Sequence, residues 1–152
     1  MKNILDIPPV WLVMALFVAW CQGRFFPLGH SIDHPLTRTM GGLLVGAGVI
    51  LIGAAAFAFW RARTTIVPHQ TPTHLLTTGI FARTRNPIYL ADTLILTGLI
   101  LRFDALPSLV LVPLFVWWIE RHFIVHEEDR MRHAFPVDFP RYALKVSRWV
   151  NF

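Results

Sequence analysis

The sequence predicts an all-α integral membrane protein: a helical bundle of about four transmembrane helices followed by an amphipathic C-terminal helix. Three observations carry this expectation. Hydrophobic residues fill 55% of the 152 positions and charged residues only 15%, against roughly 25% charged in a soluble domain. Mean hydropathy is +0.52. Polar chemistry is also confined, crowding into two blocks at 78–91 and 126–150.

The first apolar segment runs over about 10–21, with 4–9 and 25–28 as extensions on either side. Pro8 and Pro9 interrupt its start and no small-residue cleavage site follows, so it reads as a retained span and not a signal peptide. The second segment, about 40–60, has the roughly 20 residues that cross a hydrocarbon core. Gly41, Gly42, Gly46, Gly48 and Gly53 give it a small-residue surface suited to close helix packing, within the chain or between copies in a homo-oligomer. The third and fourth segments, about 87–101 and 106–123, are joined by the short stretch Arg102-Phe103-Asp104-Ala105-Leu106-Pro107 and predict an antiparallel hairpin. A helix is expected from about 117 to 134. Pro136 and Pro140 then bracket a turn, and a short amphipathic helix follows over 141–149, either lying on the membrane surface or folding back over the preceding loop.

The resulting division is a single domain over 1–152: an N-terminal hairpin (1–60), a loop (61–86), a second hairpin (87–123) and a C-terminal segment (124–152). Loops as long as 61–86 generally serve a function. The net charge is +5. Because the cations flank apolar segments, they read as topology signals and lipid contacts, and no nucleic-acid partner is expected. A four-span arrangement puts eleven Lys and Arg on one side and three (Arg24, Arg38 and Arg102) on the other. Both termini and both polar blocks then face the cytoplasm, as in a multi-pass protein of a bacterial inner membrane. The single Cys21 excludes an internal disulfide and any multi-cysteine metal site, and reads as a packing residue.

Two residue patterns suggest chemistry of different classes. His122 and His126 stand one helical turn apart with Glu127 adjacent, and His30 and His34 repeat the spacing. Imidazole with carboxylate suits iron or zinc, as in membrane desaturases and hydroxylases. The topology, however, separates the two His pairs, and no metal site is expected. A non-catalytic assembly protein working through the Gly-rich second segment is the other alternative.

The polar blocks point elsewhere. The first reads Leu75-Leu76-Thr77-Thr78-Gly79-Ile80-Phe81-Ala82-Arg83-Thr84-Arg85-Asn86-Pro87-Ile88-Tyr89-Leu90-Ala91. The second contains Glu127, Glu128, Met131, Phe135-Pro136, Phe139, Tyr142 and Val146-Ser147-Arg148-Trp149. In this order, with one apolar hairpin between them, they resemble the isoprenylcysteine carboxyl methyltransferase and phospholipid methyltransferase superfamily of small membrane enzymes, over about residues 60–150. The family pattern has Pro where Ile80 stands and Gly where Ala91 stands. Ala82 interrupts its aromatic-Arg pair, and Pro136 replaces the Gly after Phe135. These departures bear more on the shape of the loop and on substrate choice than on the cofactor.

The resemblance implies methyl transfer from S-adenosyl-L-methionine, leaving S-adenosyl-L-homocysteine, to a lipophilic acceptor such as a prenylcysteine carboxylate, a lipid amine or a small thiol. It implies cofactor-binding roles for Gly79, Phe81, Arg85, Asn86, Tyr89, His126, Glu127 and Glu128, with Glu128 and Arg148 as catalytic residues. The residue types suit the ligand. Glu127 or Glu128 can accept hydrogen bonds from an ammonium or from ribose. Arg85 can grip a carboxylate, Tyr89 can pack on adenine, and Gly79 permits close approach or a positive φ. Consecutive glutamates point about 100° apart on a helix, so one is expected to face the cofactor and the other a cation; spacing leaves open which. An amine acceptor would need a base, for which Glu128 or His126 is placed. Arg141 and Arg148 are candidates for an acidic acceptor or headgroup. Asp92, an acid inside an apolar helix, is expected to face protein, either bonding the cofactor or pairing with Arg61 or Arg63. Trp117 and Trp118 fit an interfacial anchor or a substrate entrance.

Overall fold

Three of the helices begin at a proline. The ring pre-sets φ, and the missing N–H falls where a helix has no internal partner for it. The computed structural model describes residues 7–26, 34–63 and 74–150. Helix α1 spans Pro8–Phe25, α2 Pro35–Arg61 and α3 Pro87–Arg102. His34 caps α2 by accepting the Leu36 N–H on Nδ1 at 3.1 Å. A 3-10 turn at Leu106–Val110 leads into α4 (Leu111–Ile119), a π turn (Glu120–Ile124) and α5 (Val125–Ala134), after which α6 covers Asp138–Lys145. Among the described residues there is no strand, as an all-α fold requires.

The helices alternate in direction. Helix α2 lies antiparallel along α3 at a separation set by glycine. A β-carbon at Gly98 would stand 2.6 Å from the Gly41 carbonyl oxygen, so both positions are closed to side chains. Gly48 meets Ala91 and Ile95 two turns further along. The expected close approach is thus made within the chain, while Gly46 and Gly53 face open space. Helix α1 packs between α3 and α4. Gln22 near its end accepts from the Ser108 hydroxyl at 2.9 Å, and Trp11 near its start meets Trp118 with ring centroids 4.6 Å apart. Leu96, Ile100, Ile119 and Ile124 fill the core between them.

Large apolar residues cover the outside of the bundle, among them Phe17, Leu43, Ile50, Phe57, Leu114 and Trp117. A soluble protein rarely leaves so much contiguous apolar surface to water. Two helices, Pro35–Arg61 and the continuous rod Leu106–Ala134, are long and apolar enough to cross a bilayer; α1 and α3, at 18 and 16 residues, are shorter. The described residues therefore give two candidate spans where the sequence suggests about four.

Several expected boundaries shift: α1 runs from Pro8 to Phe25 where the sequence suggests about 10–21, and α2 starts at Pro35 where it suggests about 40. The rod runs past residue 124 without a break, so the C-terminal segment starts inside a helix. The last helix begins at Asp138 and ends at Lys145 instead of covering 141–149. Pro140 fits in its first turn, where no N–H is required, and Val146 turns extended, with φ −123° and ψ 127°. Of the 61–86 loop, 64–73 lie outside the described residues. Beyond them, Gly79 takes φ +64° to open a short 3-10 turn at Gly79–Ala82, a conformation that favours glycine.

Candidate active site

The two polar blocks meet at one end of the bundle, around a single carboxylate. Glu128 projects from the first turn of α5 and is only 5% exposed. From the first block, Arg85 Nη1 reaches its Oε1 at 2.9 Å. From the second, Arg148 donates twice, Nε to Oε1 at 3.0 Å and Nη2 to Oε2 at 2.9 Å. This forked pairing is the strong form of a charge-assisted bond. Arg148 Nη1 bonds Glu120 Oε1 at 2.6 Å, and Trp149 Nε1 donates to the other Glu120 oxygen at 3.2 Å. Two cations and two carboxylates thus form a compact neutral set.

Helix phase explains how both acids reach one guanidinium. Eight residues at about 100° each would leave Glu120 and Glu128 about 80° apart around an ideal α-helix. Between them lies the π turn, in which the Val125 N–H bonds the Glu120 carbonyl five residues back. Such a turn is underwound and closes most of that gap; π turns recur at functional sites.

Backbone contacts fix the segment that carries Arg148. The Arg85 N–H donates to the Ser147 carbonyl at 3.1 Å. The Thr84 hydroxyl and Asn86 Nδ2 both donate to the Arg148 carbonyl, each at 3.1 Å. Thr84 also accepts the Asn86 N–H, so the irregular residues Ser147 and Arg148 are tied to the residues that precede α3. The Tyr142 hydroxyl, on α6, donates to the Phe81 carbonyl at 2.6 Å. Burial pushes that hydroxyl's pKa up to about 12. The two arginines shift in opposite directions although they share Glu128. Burial lowers Arg85, aided by the neighbouring Arg148 charge, whereas the hydrogen bonds to Glu128 raise Arg148. Both remain cations in any ordinary solution.

A second, acidic arm adjoins the first. The Tyr89 hydroxyl, one turn into α3, donates to Glu127 Oε1 at 2.8 Å. The glutamates therefore divide as their angular separation demands, Glu128 to the arginines and Glu127 to the phenol. Asp92, buried on the same helix, interacts electrostatically with Tyr89. It forms no ion pair with Arg61 or Arg63.

The structure brings together Arg85, Asn86, Tyr89, Glu127, Glu128 and Arg148. Phe81 contributes its carbonyl, while its ring packs edge-to-face on Phe59 at 5.4 Å. Gly79 acts through the turn. His126 is exposed and does not join the cluster, because the helix carries it to the side away from Glu128. Nor do the histidines assemble. His34 caps α2 at the opposite end, and His122 stacks on Trp118 with centroids 3.6 Å apart. His30 lies outside the described residues.

Sequence reasoning missed Thr84, Glu120, Tyr142 and Trp149 as parts of the site. Glu120 was recoverable, since an acid at the end of an apolar span raises the same question as Asp92. Thr84, 2% exposed, gives no such signal.

Two spaces open in the structure, the first beside the cluster. A groove of about 750 Å³ lies between residues 74–82 and α6, walled by Thr77, Ala82, Arg141, Tyr142, Lys145 and Val146. An apolar crevice of about 290 Å³ separates α1 from α4, lined by Trp11, Met14, Leu114, Phe115, Trp117 and Trp118 among others.

The model of the phospholipid methyltransferase family matches residues 36–137, two thirds of the chain, and the protein belongs to that family. The match starts earlier than the motifs alone suggest, within α2, and stops before α6 and Arg148. No curated protein and no solved structure matches the chain. Family membership makes the protein a membrane-associated methyltransferase, and enzymes of this family generally use S-adenosylmethionine.

Proposed function

We propose that this chain transfers a methyl group from S-adenosylmethionine to a lipophilic acceptor (a prenylcysteine carboxylate, a lipid amine or a small thiol) at the cytosolic face of a membrane. In this reading α1 and α3 complete a four-span bundle beside the two longer spans. Both termini lie in the cytoplasm of a cell whose inner membrane holds the protein. The cation distribution supports this: Arg24, Arg38 and Arg102 lie at the end opposite the cluster, and the other Lys and Arg of the described residues lie at the cluster's end.

One observation carries the proposal. Glu128 is gripped from the first block by Arg85 and from the second by Arg148, so residues 63 positions apart form one buried polar centre in an otherwise apolar bundle. The donor set suits the cofactor. Arg85 Nε and Ser147 Oγ are buried without a hydrogen-bond partner, and an unpaired buried polar atom costs about 1–3 kcal/mol until an acceptor satisfies it. A carboxylate and ribose hydroxyls supply such acceptors. The neighbouring groove, with Arg141 and Lys145 on its wall, lies within the size range of small-molecule sites.

When bound, S-adenosylmethionine supplies an electrophilic methyl group on a sulfonium. The acceptor's lone pair forms the new bond to carbon while the C–S pair returns to sulfur. The protein's task is positioning and exclusion of water, which can supply most of the rate in such a displacement. Arg85 and Arg148 hold Glu128, Asn86 and Thr84 hold Arg148, and Tyr89 orients Glu127. The crevice between α1 and α4 offers apolar walls to a hydrocarbon tail, with Trp117 and Trp118 at its mouth.

Calorimetric titration of the detergent-solubilised protein with S-adenosylhomocysteine tests the reading. We expect a saturable heat that falls at least tenfold in affinity in Arg85→Ala and in Glu128→Ala. Absence of binding to wild type refutes it, as does unchanged affinity in both folded variants. Labelled methyl transfer into total membrane lipid and thiol extracts then identifies the acceptor.

A further inference from the structure

We infer that the groove between residues 74–82 and α6 binds the phosphate of an anionic membrane lipid, with Arg141 as the residue that grips it. The inference takes from the reading above only the placement of this end of the bundle at the cytosolic leaflet. It leaves the cofactor at the Glu128 cluster and gives the cationic rim of the groove a ligand of its own.

The groove has an apolar floor and a polar rim. Leu75, Phe135 and Val146, at least partly buried, pack around Phe139 and Tyr142 as a small core beneath it. The exposed rim comes from two parts of the chain. His74 and Thr77 stand on one side, and Asp138, Arg141 and Lys145 on the other. Spacings of three and four residues put these last three on one face of α6.

Arg141 forms no ion pair or hydrogen bond with any described residue, nor do His74 and Thr77 on the facing wall. Asp138, one turn earlier, does not pair with it. Lys145, one turn later, has an interaction of its own, so it adds positive field while Arg141 supplies the grip. A guanidinium presents a planar fork of N–H groups that matches two phosphate oxygens. The Thr77 hydroxyl and a His74 ring N–H are single donors that suit a third.

Depth selects the source of the phosphate. The Tyr142 hydroxyl ties α6 to the Phe81 carbonyl, and the Phe81 ring packs on Phe59, beside the exposed Trp60 near the end of α2. Aromatic residues at the end of a span mark the headgroup level. On α6 itself Leu144 is 89% exposed and Val137 56%. Apolar side chains beside cations at that level suit a helix that lies against lipid. A lipid phosphate at Arg141 keeps its chains in the leaflet beside this surface, whereas a free phosphate would leave the surface unused.

The test is calorimetric titration of the full chain in dodecyl maltoside with dioctanoyl phosphatidylglycerol, dioctanoyl phosphatidylcholine and inorganic phosphate. Phosphatidylglycerol should bind saturably, and the other two at least tenfold more weakly. Arg141→Gln, at an exposed residue without a partner, should lower phosphatidylglycerol affinity at least tenfold. Arg121→Gln removes an exposed cation outside the groove and should change it by less than about twofold. Asp138→Asn should strengthen binding, because the acid opposes an anion. Equal losses in Arg141→Gln and Arg121→Gln would reduce the effect to diffuse attraction and overturn the inference. So would inorganic phosphate binding as tightly as the lipid, or Asp138→Asn weakening binding as much as Arg141→Gln, which would mark a site for a zwitterion. Wild type that binds phosphatidylglycerol but not S-adenosylhomocysteine upholds the lipid site and removes the cofactor reading; the reverse removes the lipid site alone.

Discussion

Removing the Glu128 carboxylate should strand two cations in a low-dielectric pocket. In Glu128→Ala, Arg85 loses its partner at 2.9 Å and Arg148 loses both ends of its fork. The Arg85 side chain is only 12% exposed, so its guanidinium would be left largely out of water without a partner. Breaking one side of a buried ion pair generally costs about 3–5 kcal/mol. Arg148 is a third exposed and retains Glu120, so the expected loss lies toward the lower end, about 3 kcal/mol. For a chain of this size that corresponds to a melting temperature lower by roughly 6–12 °C. The assay is intrinsic tryptophan fluorescence of the solubilised protein during heating, since Trp149 reports on the segment directly. Removing Arg85 as well should recover part of the loss, because the double variant has one unpaired cation fewer. A melting point within about 2 °C of wild type for Glu128→Ala, or no recovery in the double variant, would refute the claim that Glu128 organises the site.

Three further outcomes follow from the geometry. Tyr142→Phe deletes a buried hydroxyl–carbonyl bond and should cost about 1–2 kcal/mol near pH 8. Because burial raises that phenol's pKa from 10 to about 12, its contribution is complete below pH 10 and is lost as pH climbs through 12. Melting curves should therefore show wild type losing stability faster than the Phe variant across that window; parallel decline would contradict it. Gly98→Val should drive α2 and α3 apart and lower the melting temperature, whereas Gly46→Leu, facing open space, should not; equal effects would dismiss the packing account. If copies associate through the outer glycines, Gly46→Leu and Gly53→Leu should shift chemically cross-linked protein toward monomer, and an unchanged pattern would place any oligomer contact elsewhere.

Much of the fold was legible because its determinants are local. Hydropathy runs mark the helices, Pro87 marks the start of the third, and Gly41 and Gly48 announce the close approach that α2 makes to α3, whereas the starts at Pro8 and Pro35 went unread. The meeting of Arg85, Tyr89, Glu127, Glu128 and Arg148 followed from the order of two motifs across one hairpin. What escaped was set by tertiary geometry. A π turn has no sequence signature here, so the phase that brings Glu120 to Arg148 was invisible. His126 looked like a ligand from its neighbours, yet the direction of α5 leaves it in solvent. The last helix ended early because the Thr84 and Asn86 side chains and the Arg85 N–H bind the Ser147 and Arg148 carbonyls, and no local propensity encodes a bond made over 60 residues.

That C-terminal segment raises a question of which part of the chain makes the site. The family match ends at residue 137, yet the cation that joins Glu120 to Glu128 is Arg148. A chain cut after 137 keeps α1 to α5 but leaves both carboxylates with only Arg85 and the distant Arg132, 3.9 Å from Glu128 at an exposed position. It also uncovers the Phe81 carbonyl and the groove wall. The helices should survive, since their core residues, Leu96, Ile100, Ile119 and Ile124, all precede the cut. Ligand affinity should not. Truncation after Val137 is therefore expected to leave far-UV helicity per residue near wild type while abolishing S-adenosylhomocysteine binding. Arg148→Lys should fall between the two, because a lysine ammonium is a point charge and cannot reproduce the fork that engages two carboxylates at once. Full binding by the truncated chain would mean that the residues after 137 merely cover a site completed without them.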